Sequence, residues 1–278
     1  MSARDHSYPT IVLGGSGYVA GEFLRLIDAH PKLTLSGAVS TSQAGEPIAK
    51  TFPHLAPAYP DQPFVSIEAT LEGLGGAPHW LVLSAAPHGA SAQLVQQLLA
   101  AAGLADEFYV SAITGSTGAG RTPRETTHHP VRQSNFFAYQ ALKHRHQPEV
   151  RALVKALTGR DIRLRFVPHS GPFARGIHAT IFAQPKDRVT PAQVHDALHE
   201  FYRGAQFVRV ETEPPRLKDI VATNYAALHG TVQDDAIAVF GVADNLLKGA
   251  AGGCIQWANR LLGLPESTGL AAPAAGWL

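Results

Sequence analysis

A chain of 278 residues has the length of about two ordinary domains, and 45% AVILMFWYC residues against 16% charged ones exclude a disordered polar chain. Lys and Arg number 23 and Asp and Glu 22, for a net charge of +1, so charge gives no reason to expect nucleic acid or an anionic membrane as partner. The single cysteine excludes an intramolecular disulfide framework and every multi-cysteine metal site, and it fits a reducing compartment.

The N-terminal MSARDHSYPT places no apolar stretch behind its arginine, so no secretory leader is expected. The apolar run WLVLSAA at 80–86 falls far short of a membrane span, and a soluble cytoplasmic protein is expected. Thr10–Leu13 then reads as a buried strand, broken by Gly14-Gly15-Ser16-Gly17. Tyr18 to Ala29 has Val19, Phe23, Leu24, Leu26 and Ile27 at near-helical spacing, and His30-Pro31 ends the helix. Leu33–Val39 reads as a second strand, which completes a βαβ unit. Residues 43–79 read as loop, with six prolines. Trp80–Ala85 reads as a strand, Pro87-His88-Gly89 as a loop and Ser91–Ala102 as a helix with Ser91 as its cap.

After Gly103 the character changes. Phe108–Thr114 alternates like a strand and runs into a second glycine loop, Gly115–Gly120. Residues 121–148 read as a polar loop carrying His128, His129, His144 and His146. Glu149–Leu157 reads as a helix, and Arg163–Val167 and His178–Ala183 as strands around a turn at His169–Pro172. Thr190-Pro191 opens a helix to Tyr202 by capping and an N1 proline. Strands are expected near Phe207–Val210 and Ile237–Val242, then a long helix from Asn245 to Leu262 interrupted by Gly249, Gly252 and Gly253.

The turn Gly14-x-x-Gly17-x-x-Ala20 follows a strand and opens a helix, the context in which glycines permit a tight turn and close approach of a phosphate. The helix N-terminus then offers free N–H groups to a pyrophosphate. Gly14, Ser16, Gly17, Tyr18 and Val19 are therefore candidate cofactor contacts. A plain βα turn is the alternative. An acidic residue at the end of the second strand would read the ribose of NAD, and here that stretch is Ser40-Thr41-Ser42-Gln43. Ser40 and Thr41 offer hydroxyls and no repulsion to a 2′-phosphate, which favours NADP(H).

GGSGYVAGEFLRLIDAHP, SAAPHG, TGSTGAGR, HRHQPEV, FARGI and DNLLKGAAG, in this order over residues 11–270, resemble segments of N-acetyl-gamma-glutamyl-phosphate reductases. That family lies within the aspartate-semialdehyde-dehydrogenase-like superfamily. The resemblance implies an α/β fold, a Rossmann-type domain over 1–103 with 245–278 and an α+β catalytic and dimerisation domain over 104–244. It implies reductive dephosphorylation: a cysteine thiolate attacks an acyl phosphate, phosphate leaves, and NADPH delivers hydride to the thioester. By resemblance one of His144 and His146 is the acid/base residue, with His144 preferred. By resemblance Arg175 lies at the substrate pocket and Asn245 near the nicotinamide; from their chemistry Arg145, Ser116 and Gly118 suit a substrate phosphate or carboxylate, and Pro87 lies at the carboxyl end of a strand, where a cofactor can sit. The partners implied are a small acyl-phosphate substrate and a second copy of the chain. A carrier-linked aminoadipyl phosphate of lysine synthesis is the rival substrate, and Arg121, Arg124, Arg132 and Lys143 would suit its carrier.

The family's NPGC-like segment, which carries the nucleophile, has no counterpart in this sequence. Residues 91–102 run directly into Gly103–Phe108, which resembles family sequence beyond it. Cys254 falls in the helix after DNLLKGAAG and reads as a small packing residue. A pseudoenzyme that holds NADP(H) without turnover is the reading that competes with an active reductase. The backbone N–H groups of Gly115–Gly120, with Arg121, would suit a phosphate. The histidines lack the framework of a metal site, and none is expected.

Overall fold

The computed structural model describes residues 7–72, 80–84 and 104–276. The chain divides into two compact units, Met1–Pro87 with Ala250–Ala272, and His88–Gly249 with Pro273–Leu278.

In the first unit, β1 (Tyr8–Leu13) leads through the glycine turn into α1 (Tyr18–Ala29) and β2 (Leu33–Val39). Two short helices, α2 (Ile48–Thr51) and α3 (Ile67–Glu72), interrupt the stretch expected to be loop. β3 (Leu81–Ser84) then completes a parallel sheet in the order β2-β1-β3. A parallel sheet is covered on both faces, which is why β1 reads as a continuous apolar run. The apolar positions of α1 give one buried stripe, with Ala20, Phe23, Leu24 and Ile27 almost without exposure. Tyr59 fastens it by donating its hydroxyl to the Leu24 carbonyl at 2.8 Å. Pro87, the loop at 87–89 and the helix expected at 91–102 lie outside the described residues.

The second unit is built on seven strands in the order β5-β6-β4-β7-β10-β9-β8. They are β4 (Leu104–Thr114), β5 (Phe137–Ala138), β6 (Arg163–Ser170), β7 (Ile177–Pro185), β8 (Val208–Val210), β9 (Ala226–Gln233) and β10 (Ala236–Ala243). Among the described residues three α-helices accompany it: α4 (His129–Arg132), α5 (His146–Thr158) and α6 (Pro191–Phe201). Phe108, Val110, Leu164, Ile181 and Val239 of the sheet form one buried cluster with Val150 and Val154 of α5 and Val194 and Leu198 of α6. That cluster lies on one face only. α6 starts as its sequence indicates: Thr190 and Gln193 form a reciprocal capping box, with Pro191 at N1.

Several expectations are corrected here. β6 continues through His169 to Ser170, so His169 is a strand residue and the turn begins at Gly171. α5 starts at His146, three residues before the expected Glu149. The polar stretch 121–148 contains α4 and β5. β9 was not anticipated, because AALHGTVQ has weak strand propensity. It forms because α6 packs on it: a Cβ at Gly230 would come within 2.6 Å of Val194.

The expected long C-terminal helix begins as a π-type turn, Leu247–Ala251, and becomes regular in α7 (Gly252–Leu261). α7 belongs to the first unit, where Asn259 is fully buried. Asn259 Oδ1 lies 3.0 Å from Nε2 of buried His30, and its amide donates to the carbonyls of Glu266 and Thr268. Because His30 Nδ1 accepts the Lys32 N–H, the neutral ring carries its proton on Nε2 and donates to Asn259. Burial pushes the His30 pKa down. Cys254 is exposed on α7 and not a packing residue, while partial burial of its thiol raises its pKa.

Candidate active site

The nucleotide side sits in the first unit. β1 has β2 on one side and β3 on the other, so the chain's direction of winding reverses at its carboxyl end, where open α/β sheets bind ligands. The turn at that end shows what each glycine does. Gly14 has φ +75°, a conformation costly for any side chain. Gly15 donates to the Val39 carbonyl at 2.7 Å and is pressed against β2. Gly17 is different: a Cβ there would meet only the Gly14 carbonyl at 3.7 Å. Space in front of Gly17 is open, as close approach by a ligand requires.

Gly17 caps α1 without a side chain, and the first turn of α1 holds no acidic residue. The leading N–H groups at Tyr18 and Val19 are not satisfied by a capping side chain, and the positive helix end stays unneutralised. The hydroxyl of Ser40, at the end of β2, donates to Ser16 of the turn at 3.3 Å, and Thr41 beside it is exposed. The donors here are hydroxyls and N–H groups, with no carboxylate at Ser40–Gln43. That set fits a dinucleotide.

The histidine side sits in the second unit, where β5 and the turn before α5 bring His144 against β6. The His144 ring lies 4.7 Å from that of His146, 5.3 Å from Phe166 and 5.7 Å from Tyr139, centroid to centroid. Its Nδ1 faces the His146 backbone N–H at 3.4 Å, which assigns the proton of the neutral ring to Nε2. Burial, then the charges of His146 and Arg145, hold the His144 pKa down against the pull of Glu149. His144 is thus a neutral imidazole near pH 7. Arg145 is exposed. At the start of α5, Oε1 of Gln147 is buried with no hydrogen-bond partner among the described residues.

The glycine loop after β4 does not offer its backbone as expected. Gly115 N–H donates to the Gly176 carbonyl, Ser116 to Phe173, Thr117 to Ala174 and Gly118 to Gly115. The loop is a knot with residues 173–176, so close that a Cβ at Gly115 would lie 2.4 Å from the Ala174 carbonyl oxygen. Asn245 tightens it: its Oδ1 accepts the Gly176 N–H at 2.6 Å, and its amide donates to Thr117 Oγ1 at 2.9 Å. Arg175 also faces inward, donating from Nε and Nη2 to both oxygens of fully buried Asp244. Asp244 further accepts the N–H groups of Ala222, Leu246 and Leu247. Arg175 and Asn245 therefore hold backbone together. The Ser116 side chain is half-buried and Gly118 is exposed.

Sequence reading gave Arg132 only a place on a basic rim. In the structure it is 8% exposed. Its guanidinium donates to Ser170 Oγ and to the carbonyls of Gly171 and Phe173. Burial pulls its pKa down, and among the described residues it has no carboxylate partner in an ion pair. A buried cation held only by neutral groups is costly and is relieved by an incoming anion. The signal that could have found it is weak, since Arg132 stands in a polar stretch with no local periodicity. Ser170, which it touches, and Phe166, which His144 touches, share one face of β6. Among the described residues no three His, Cys, Asp or Glu side chains are grouped as a metal site would need.

Comparison with known proteins places this geometry. Residues 10–105 match the family described as semialdehyde dehydrogenase, NAD binding domain, and residues 88–245 that described as semialdehyde dehydrogenase, dimerisation domain. An N-acetyl-gamma-glutamyl-phosphate reductase of Symbiobacterium thermophilum is 30% identical over 93% of this chain and 96% of its own length. One from Methanosarcina mazei is 29% identical over 95% of this chain and 97% of its own. That second alignment runs over 335 residues, whereas this chain has 278, so part of the relative has no counterpart here. Among solved structures, aspartate semialdehyde dehydrogenase II from Vibrio cholerae superposes with a TM-score of 0.65 at 13% identity, covering 92% of this chain and 99% of the other. Aspartate semialdehyde dehydrogenase with NADP from Candida albicans gives 0.62 at 14% identity, covering 92% and 98%. At such identities the likeness is one of fold.

Proposed function

The chain belongs to the N-acetyl-gamma-glutamyl-phosphate reductase family of semialdehyde dehydrogenases, and from that membership we propose that its units are shaped for NADPH-dependent reduction of N-acetyl-gamma-glutamyl phosphate to the semialdehyde, in arginine biosynthesis. The cofactor is held at Gly14, Ser16, Gly17, Tyr18 and Val19, with Ser40 and Thr41 at the 2′-phosphate. NADPH, when bound, supplies hydride. The acyl phosphate lies at the second unit, with His144 moving protons from Nε2, His146 fixing its ring, and Arg132 drawing the anion. Gln147 Oε1 accepts from a donor such as the acetamido N–H. The protein works in the cytoplasm as a homo-oligomer.

The observation that carries this reading is the neutral, aromatic-packed His144 on the same strand face as a buried cation without an anion. The relatives' extra length is consistent with a missing segment, which the sequence resemblance puts near residues 102–103 together with the nucleophile. Cys254 does not replace that thiolate, because partial burial disfavours its charged form. The chain as it stands therefore binds NADP(H) and does not turn over. A carrier-linked aminoadipyl phosphate remains the second substrate reading, on the exposed Arg121, Arg124 and Lys143.

Fluorescence titration with NADPH and NADH is the test. NADPH should bind at least about tenfold more tightly, a difference of about 1.4 kcal/mol, and added N-acetyl-gamma-glutamyl phosphate should not consume it. Equal affinities would sink the 2′-phosphate assignment. NADPH oxidation that depends on the acyl phosphate would show a working nucleophile after all.

A further inference from the structure

We propose that Leu142 is a positioning residue whose backbone, and not its side chain, turns the chain so that the His144 imidazole lands against β6. Among the described residues five other than glycine have positive φ, and two of them, Gln140 at +45° and Leu142 at +60°, stand one residue apart just before His144. That conformation favours glycine, and a leucine in it is an outlier that needs a cause. Core packing is not the cause, because Leu142 is 53% exposed. Strain of this kind persists where the surrounding structure over-determines the backbone, and it gathers at functional sites.

The edge of β6 imposes the conformation. β5 runs antiparallel along β6, with Phe137 opposite Ser170 and Ala138 opposite His169. Tyr139 extends the ladder by donating its N–H to the Pro168 carbonyl at 3.0 Å. In an unbroken ladder the next donor would be Ala141, two residues on, to the Phe166 carbonyl. That carbonyl instead accepts the N–H of Leu142, at 2.9 Å. The chain holds one residue more than the ladder needs. Such an insertion bends a strand and re-aims the side chains beyond it, as in a β-bulge.

The extra residue is taken up in a turn. Lys143 donates its N–H to the Gln140 carbonyl at 2.9 Å and closes four residues with Ala141 and Leu142 at their centre. Of these two only Leu142 has positive φ, the pattern of a type II turn, whose third position is normally glycine. The turn delivers His144 with its ring 5.3 Å from Phe166 and 5.7 Å from Tyr139, the residues whose backbone groups fasten it. Burial is the largest cause of the lowered His144 pKa, ahead of the charges of His146 and Arg145, with Glu149 pulling the other way. An opened turn would undo that burial, so the titration of His144 reports whether the turn holds. The inference deepens the proton-transfer role proposed for His144, yet its test reads the imidazole without NADPH or acyl phosphate, so either can fail alone.

Substitutions at residue 142 of the full chain separate backbone from side chain. If packing mattered, glycine would be the worst replacement and valine the mildest. A left-handed backbone reverses that order, since glycine adopts it freely and a β-branched residue scarcely at all. In Leu142→Gly, the hydrogen-exchange protection of the Tyr139 N–H and the NMR titration of His144, assigned with His144→Gln, should match the parent. Leu142→Asn, polar but tolerant of this conformation, should behave in the same way. In Leu142→Val, protection should fall at least about fivefold and the His144 pKa should rise toward its ordinary value of about 6.5, with circular dichroism unchanged. Ala141→Val, at ordinary φ, should alter neither readout. Glycine or asparagine loosening the turn more than valine, valine leaving both readouts unmoved, or a turn that opens while the His144 titration stays as in the parent would overturn the proposal.

Discussion

The turn at Gly14–Gly17 and the knot at Gly115–Gly118 look alike as sequence, since each is a glycine-rich loop at the carboxyl end of a strand. They use their backbones in opposite ways. At Gly17 the missing side chain leaves open space, and the first turn of α1 has no capping side chain. At Gly115 the missing side chain is filled by the chain's own backbone, and the N–H groups of Gly115 to Gly118 are spent internally. One glycine leaves its space open and the other makes room for residues 173–176. The lesson is that glycine in a loop reports close approach without saying what approaches.

That contrast can be broken by substitution. The largest effect is expected at the centre of the knot. Asp244→Asn removes the carboxylate that takes two bonds from Arg175 and three from backbone N–H groups. It should cost about 3 kcal/mol in urea unfolding, and a loss under about 1 kcal/mol would show the knot to be dispensable. Gly115→Ala follows. Backbone atoms cannot step aside as a side chain can, and about 2 kcal/mol of destabilisation is expected. Gly17→Ala is the counterpart: stability should change by less than about 1 kcal/mol, while NADPH affinity in the fluorescence titration drops about tenfold. Equal destabilisation by the two alanines would erase the distinction between the glycines.

The smallest effect sharpens the picture of the first unit. The His30 pKa is lowered in the folded chain. The unfolded chain therefore takes up a proton first, at its ordinary value of about 6.5. The stability that neutral His30 provides is complete above that pH and is lost as pH falls from about 6.5 toward the folded value. Urea midpoints measured from pH 8 to pH 5 should decline below about 6.5. His30→Gln should lower the plateau and flatten the decline. An unchanged slope in that variant would assign the pH dependence to another group.

The two units also differ in how much of them could be read from the chain. The Thr10–Leu13 run, the glycine break, the apolar stripe of α1 and His30-Pro31 foretell β1, α1 and β2 within two residues at each end. Thr190, Pro191 and Gln193 foretell the start of α6. In the second unit β9 escaped notice, because Ala226–Gln233 becomes a strand only through β10 beside it and α6 above it. The candidate site divides the same way. The glycine turn proposed to hold the cofactor stood out as a motif, and the HRHQPEV segment pointed to the proposed His144 and His146. Nothing local marked Arg132, whose partners lie 38 to 41 residues away.

Within this chain, sequence alone determined whatever a few neighbouring residues decide: strand against helix where the apolar period is clean, the cap of α6, the glycine turn and the lack of an acid after β2. Folding in three dimensions decided the rest. It turned Arg175 inward onto Asp244, 69 residues away, and engaged Asn245 with Thr117, 128 residues away. It buried Arg132 and left Cys254, Tyr109 and Phe182 exposed. The reason is physical: turns and caps are settled by bonds a few residues long, whereas burial and charge pairing depend on which distant segments are pressed together.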